Sequence, residues 1–135
     1  MRAAVCSTLS PDLSGLALHD DWPEPPAPGP NEVLVAVSHA SLNFPDFLML
    51  QGGYQFKPEL PFIPGTEGTG RVIAAGPGAE DWVGKAVMLG ARSGLMAERI
   101  TVPTRGLRAV PEGLTMAEAA AFTVGALTAW VGLVE

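Results

Sequence analysis

The chain is predicted to fold as a mainly β (α+β) domain: a barrel or sandwich of short strands finished by helices. Three observations lead there. Short apolar and β-branched runs recur along the first 110 residues, each closed by a turn signal. The 16 glycines and 13 prolines are spread along the chain instead of gathering in one block, as a domain of many tight turns requires. At Pro111-Glu112-Gly113-Leu114 the pattern changes from strand-like to helical.

In chain order, Arg2 to Ser7 reads as a first strand and Leu16 to His19 as a second, split by a Ser-Pro-Asp-Leu-Ser-Gly turn. Asp21 to Asn31 holds five prolines in eleven residues. Proline fixes φ and removes a donor, so this stretch is an extended connector, not a central strand. Glu32 to His39 alternates Val33, Val35 and Val37 with Leu34, Ala36 and Ser38, as in a strand covered on both faces. Asn43 to Gln51 reads as a short helix entered through Pro45, ended by Gly52-Gly53. Tyr54 to Pro64 is a loop, and Glu67 to Ala75 a strand in which Gly68 and Gly70 bare one face. Gly76-Pro77-Gly78 turns the chain; Ala86 to Leu89, Met96 to Val102 and Leu107 to Val110 follow as strands. Thr115-Met116-Ala117-Glu118 satisfies a capping box, in which hydroxyl and carboxylate each bind the other residue's amide. An alanine-rich helix through Phe122 and a second helix over Thr128 to Glu135 complete the expectation.

At 47% hydrophobic and 16% charged residues, the 135-residue chain is long enough and apolar enough for one sizeable core. The net charge of −6 and scattered basic residues argue against a nucleic-acid partner, which needs clustered Lys and Arg. A lone cysteine, Cys6, excludes an intramolecular disulfide. No apolar run approaches the ~20 residues of a membrane helix, and the N-terminus reads as a strand, not as a signal peptide. A soluble cytoplasmic protein without a membrane partner is the expectation. Zinc catalysis needs three protein ligands, and His19 and His39 stand on expected strands without partners at ligand spacing. No metal is expected.

Four phrases in order carry a family resemblance. Gly29-Pro30-Asn31-Glu32-Val33-Leu34-Val35 resembles an entry to a central strand, and Leu42-Asn43-Phe44-Pro45-Asp46 an "LNFxD" phrase. Pro61-Phe62-Ile63-Pro64-Gly65-Thr66-Glu67-Gly68 resembles "PFxPGxEG", and Pro111 to Ala121 resembles "PxGxSxEEAAA". Together they resemble the N-terminal, substrate-side domain of the medium-chain dehydrogenase/reductases, specifically the zinc-free quinone oxidoreductase branch. The resemblance implies a GroES-like, partly open β-barrel over residues 1–110 and an interdomain helical segment over 111–135. Zinc-dependent relatives carry Cys at Asn43 and His at Thr66, which this chain lacks.

What the resemblance implies chemically is hydride delivery from NADPH to a small-molecule quinone or enone. Asn43 is the first candidate, both catalytic and cofactor-binding; it fits a helix N-cap equally well. Asp46, in the same helix's first turn, Thr66 and Thr128, from a "GLT" phrase, are the other cofactor-binding candidates. Tyr54 is the second catalytic candidate, as a proton donor or a cover over substrate. Two departures stand out. Leu48 replaces a tyrosine often found near the cofactor, and Gly84-Lys85-Ala86-Val87 replaces a Gly-Asp-Arg-Val turn.

Hydride transfer also needs a dinucleotide site, expected as a strand, a glycine-rich turn and a helix N-terminus. The glycines of Gly65 to Gly70 open a strand, so they are not that turn. The Rossmann domain is therefore expected to be absent here and supplied by a second domain or chain, leaving this one inactive alone. Two other readings stay open: a stand-alone GroES-like binding or structural module, and an enoyl reductase acting on carrier-bound acyl chains.

Overall fold

The computed structural model describes residues 1–134. Seven strands form two sheets. β1 (Ala3–Cys6) and β2 (Leu16–His19) make an antiparallel pair. The larger sheet has the order β6-β3-β4-β5-β7, all antiparallel, from β3 (Glu32–Ala40), β4 (Glu67–Ala75), β5 (Ala86–Gly90), β6 (Arg99–Pro103) and β7 (Leu107–Ala109). It does not close: β6 and β7 stand at opposite edges. Backbone bridges from Ala3 to Ala97 and from Cys6 to Phe62 join the small sheet to the rest.

The main core lies on one face of the large sheet, where Val33, Val35, Val72, Val87 and Leu89 meet Leu95 and Val102. A smaller cluster of Cys6, Met49, Leu50 and Phe62 packs helix α1 (Phe44–Gln51) against β1. β3 departs from the expectation of two equally covered faces. Val33 and Val35 are buried, while Leu34 and Ala36 on the other face are only half-buried. Its register against β4 also shifts twice, between Leu34 and Val35 and between Val37 and His39. Glycine at 70 permits this close pairing, because a Cβ there would overlap Ala36 O and Val35 Cγ1.

Most local expectations hold. α1 starts after Asn43 and ends at Gly52, which adopts φ 80° as the left-handed cap position. Two differences have physical causes. Met96 and Ala97 do not extend β6; they pair with β1, through Ala4 N donating to Met96 O. The second C-terminal helix begins well before Thr128: α2 (Met116–Ala120) breaks at Ala121, and α3 runs over Phe122–Val134. Glu135, expected in that helix, lies outside the described residues.

The capping box at α2 is present, with Glu118 N donating to Thr115 Oγ1 at 3.2 Å and Thr115 N to Glu118 Oε2 at 2.8 Å. The Thr115 amide and hydroxyl, both donating to the Glu118 carboxylate, hold that carboxyl below its usual range. Thr115→Ala is expected to cost about 1 kcal/mol, the usual worth of an N-cap, read as a lowered urea midpoint.

Candidate functional site

The site is built where the loop after α1 turns into β4. Pro64 is buried, and Gly65 follows with φ 105°. A Cβ on Gly65 would sit 2.9 Å from Met96 N, so only glycine fits this turn. The turn sends Glu67 inward while Thr66 stays partly exposed at the surface.

Glu67 is 4% exposed, and its carboxylate joins three segments. Oε1 accepts from Ser41 Oγ at 2.8 Å and from Asn43 Nδ2 at 3.1 Å. Oε2 accepts from Val124 N at 2.9 Å, an amide in the first turn of α3. A first-turn amide has no partner within its own helix, and an anion is favoured there. This bond explains why α3 can start at Phe122. Thr69 makes a second tie, its hydroxyl donating to Met116 O at 2.8 Å.

Asp46, fully buried, stands behind this arrangement. Its Oδ2 accepts from Asn43 N at 2.9 Å, the firm half of a capping box, and its Oδ1 accepts from Gly65 N at 3.1 Å. Burial pushes the Asp46 carboxyl above its usual range, and the two amide hydrogen bonds work against that shift. Asp46 thus fixes α1 to the turn that places Thr66 and Glu67.

Two cavities meet at Thr66. One, of about 470 Å³, is walled by Tyr54, Phe56, Ala91 and Arg92. The other, of about 210 Å³, runs along Glu67, Gly90 and Arg108 to Thr123 and Val124 of α3. The Arg92 guanidinium lies over the Phe56 ring, 5.3 Å from its centroid.

The five residues singled out from sequence are placed as follows. Thr66 lines both cavities and Tyr54 lines the outer one. Asn43 stands behind Glu67, its side-chain amide donating to Ser41 Oγ at 3.1 Å and to Glu67. Both bonds are made by its side-chain nitrogen, leaving its carbonyl oxygen. Asp46 is enclosed. Thr128 is exposed on α3, donating to Val124 O at 2.7 Å, one turn along from the amide bound to Glu67. Residue types alone did not single out Glu67, Arg92 or Thr123. A carboxylate inside a glycine-rich strand was the available signal for Glu67; nothing local marked the other two.

Among the described residues, no group of three or more His, Cys, Asp or Glu is arranged to hold a metal ion, and no helix is long and apolar enough to cross a membrane. His19 packs edge-on against Trp22.

An open antiparallel sheet, a short helix ahead of a Gly-Thr-Glu turn and a cleft reaching the C-terminal helices define an alcohol dehydrogenase-like N-terminal domain. Residues 29–112 match the alcohol dehydrogenase GroES-like domain, and the chain belongs to that family. The "Synaptic vesicle membrane protein VAT-1 homolog" of Rattus norvegicus is 44% identical over 112 residues, 82% of this chain and 28% of that protein. The "Quinone oxidoreductase-like protein 2 homolog" of Nematostella vectensis is 36% identical over 134 residues, 98% of this chain and 36% of that one. The solved quinone oxidoreductase of Thermus thermophilus, described together with its NADPH complex, superposes with a TM-score of 0.80 at 39% identity. That match covers 98% of this chain and 40% of that one. The chain therefore spans about a third of the length of these curated relatives. They place it among the quinone oxidoreductase-like and VAT-1-like members of the medium-chain dehydrogenase/reductases.

Proposed function

We propose that the chain forms the substrate-side wall of a zinc-independent, NADPH-dependent reductase of quinones or enones. A nucleotide-binding domain, in the same protein or a second chain, supplies the other wall. Residues 1–110 are the substrate domain and 111–135 the interdomain segment, and the protein acts in the cytoplasm. The observation that carries this reading is the meeting of two cavities at Thr66, one walled by aromatic side chains and one bounded by α3.

The cleft suits the nicotinamide end of the cofactor. The Thr66 and Thr123 hydroxyls offer donors and acceptors to a carboxamide, and Met88 offers an apolar surface to a ring. When bound, NADPH supplies a hydride for the electron-poor carbon of the substrate. The chain's own residues orient and protonate. Thr66 holds the ring edge at the junction. Asn43 and Thr128 line neither cavity: Asn43 acts by holding Glu67 from behind, at the corner that Asp46 fixes, and Thr128 lies one turn farther along α3. Tyr54 covers the outer cavity and holds a phenolic proton for the developing enolate oxygen.

Titration of the isotope-labelled chain with NADPH tests this reading. Amide shifts are expected at Thr66, Gly90 and Thr123, weakened by Thr66→Val about fivefold, the worth of one neutral hydrogen bond. Shifts confined elsewhere would overturn it. Quinone reduction by the chain alone should be undetectable. Robust turnover would remove the need for a second domain.

A further inference from the structure

The outer cavity carries a cation that hydride transfer does not use. Arg92 follows Gly90-Ala91 at the end of β5, with its guanidinium over the Phe56 ring. Three of the other five arginines are engaged: Arg2 pairs with Asp20, Arg99 with Glu24, and Arg71 donates to Gly84 O, while Arg105 and Arg108 do not line this cavity. Among the described residues Arg92 has no carboxylate or carbonyl partner, although the chain carries a net charge of −6. Such a surplus of acidic groups leaves many possible partners, and none of the described ones reaches this cavity.

Attraction to an aromatic face uses none of the guanidinium N–H groups, so the exposed Arg92 keeps them free in the fork that matches a carboxylate. Tyr54 and Phe56 supply flat apolar walls beside that fork, and Thr66 closes the far end. The volume of about 470 Å³ falls in the range of small-ligand sites.

We infer that the outer cavity selects planar conjugated substrates bearing an anionic group, a carboxylate above all, with Arg92 as the specificity-determining residue. The reducible end lies toward Thr66 and the carboxylate toward Arg92. The identity of the conjugated body rests on the reductase reading above; the anion subsite rests on the cavity alone.

A matched pair of probes tests it: benzylideneacetone and its 4-carboxy derivative, titrated into the chain by calorimetry with amide shifts followed in parallel. The carboxylate is expected to bind about tenfold more tightly at low salt, the effect of one charge-assisted hydrogen bond, with the preference fading as salt rises. Arg92→Gln should abolish the preference. Arg92→Lys should retain part of it, keeping the charge but losing the fork. A dispersed amide spectrum for each variant verifies folding. Equal affinity for both probes, binding of neither, or a preference that survives Arg92→Gln would overturn the inference. Equal binding with shifts at Thr66 would do so while sparing the enone reading. An Arg92-dependent preference with no shift at Thr66 would keep the anion subsite and sink the enone reading.

Discussion

Replacing Asp46 by alanine is expected to lower the folding free energy by about 2 to 3 kcal/mol at neutral pH, measured by urea denaturation. The buried Gly65 amide loses its acceptor at 3.1 Å, and α1 loses the carboxylate that closes its first turn. An unsatisfied buried donor carries the full desolvation penalty, which makes this a large effect. Part of the loss is offset, since the ionised carboxylate is itself costly to bury. That cost also gives a sign to the pH dependence. The folded pKa of Asp46 is raised, chiefly by burial, so the fold favours its protonated form. Its contribution is therefore fully present below the unfolded carboxylate value of about 4 and declines as pH rises through the folded value. Asp46→Asn cannot titrate and should lack that decline. It should also be less stable than the native chain at neutral pH, because an amide offers only one acceptor oxygen to two amide donors.

Glu67→Ala is expected to cost a similar amount, about 2 to 3 kcal/mol, and to loosen α3 selectively. Ser41, Asn43 and Val124 all donate to this carboxylate, so its removal orphans donors on three segments at once. Hydrogen exchange is the discriminating measurement. The Val124 amide should exchange at least about tenfold faster, while the β1–β2 amides keep their rates, because local opening follows the contacts removed. Glu67→Gln should fall between, keeping one acceptor and placing an amide against one of the three donors. Asp46 and Glu67 also share Asn43, through its backbone and side-chain nitrogens respectively. A double-mutant cycle should accordingly show a coupling of about 0.5 kcal/mol or more.

Local signals carried most of the fold into the sequence. β2 and β4 end where the turn residues said they would, α1 ends on Gly52, and the Thr115–Glu118 capping box forms. These features depend on residues within a few positions of one another. The failures are features with remote causes. β6 begins at Arg99 because Met96 and Ala97 are drawn to β1 at the other end of the chain. α3 begins at Phe122, where its first-turn amide meets Glu67, 57 residues upstream. The site shows the same division. The motif around Thr66 was legible, as was the asparagine ahead of α1. The choice for Asn43 between capping a helix and touching a ligand was not, because its side-chain nitrogen is held by Ser41 and by Glu67, 24 positions away. Leu48, where a tyrosine is common, turns out half-buried beside the Gly53 position, on the loop side of α1.

The three-way grip of the Glu67 carboxylate has a consequence for the order of events during synthesis and refolding. Its partners lie 26, 24 and 57 positions away, so no short stretch can preassemble it. Distant pairings carry a heavy loop-closure penalty and come late. The hollow at Thr66 should accordingly acquire its final shape only after position 124 has emerged and docked, making ligand affinity a reporter of the last folding step.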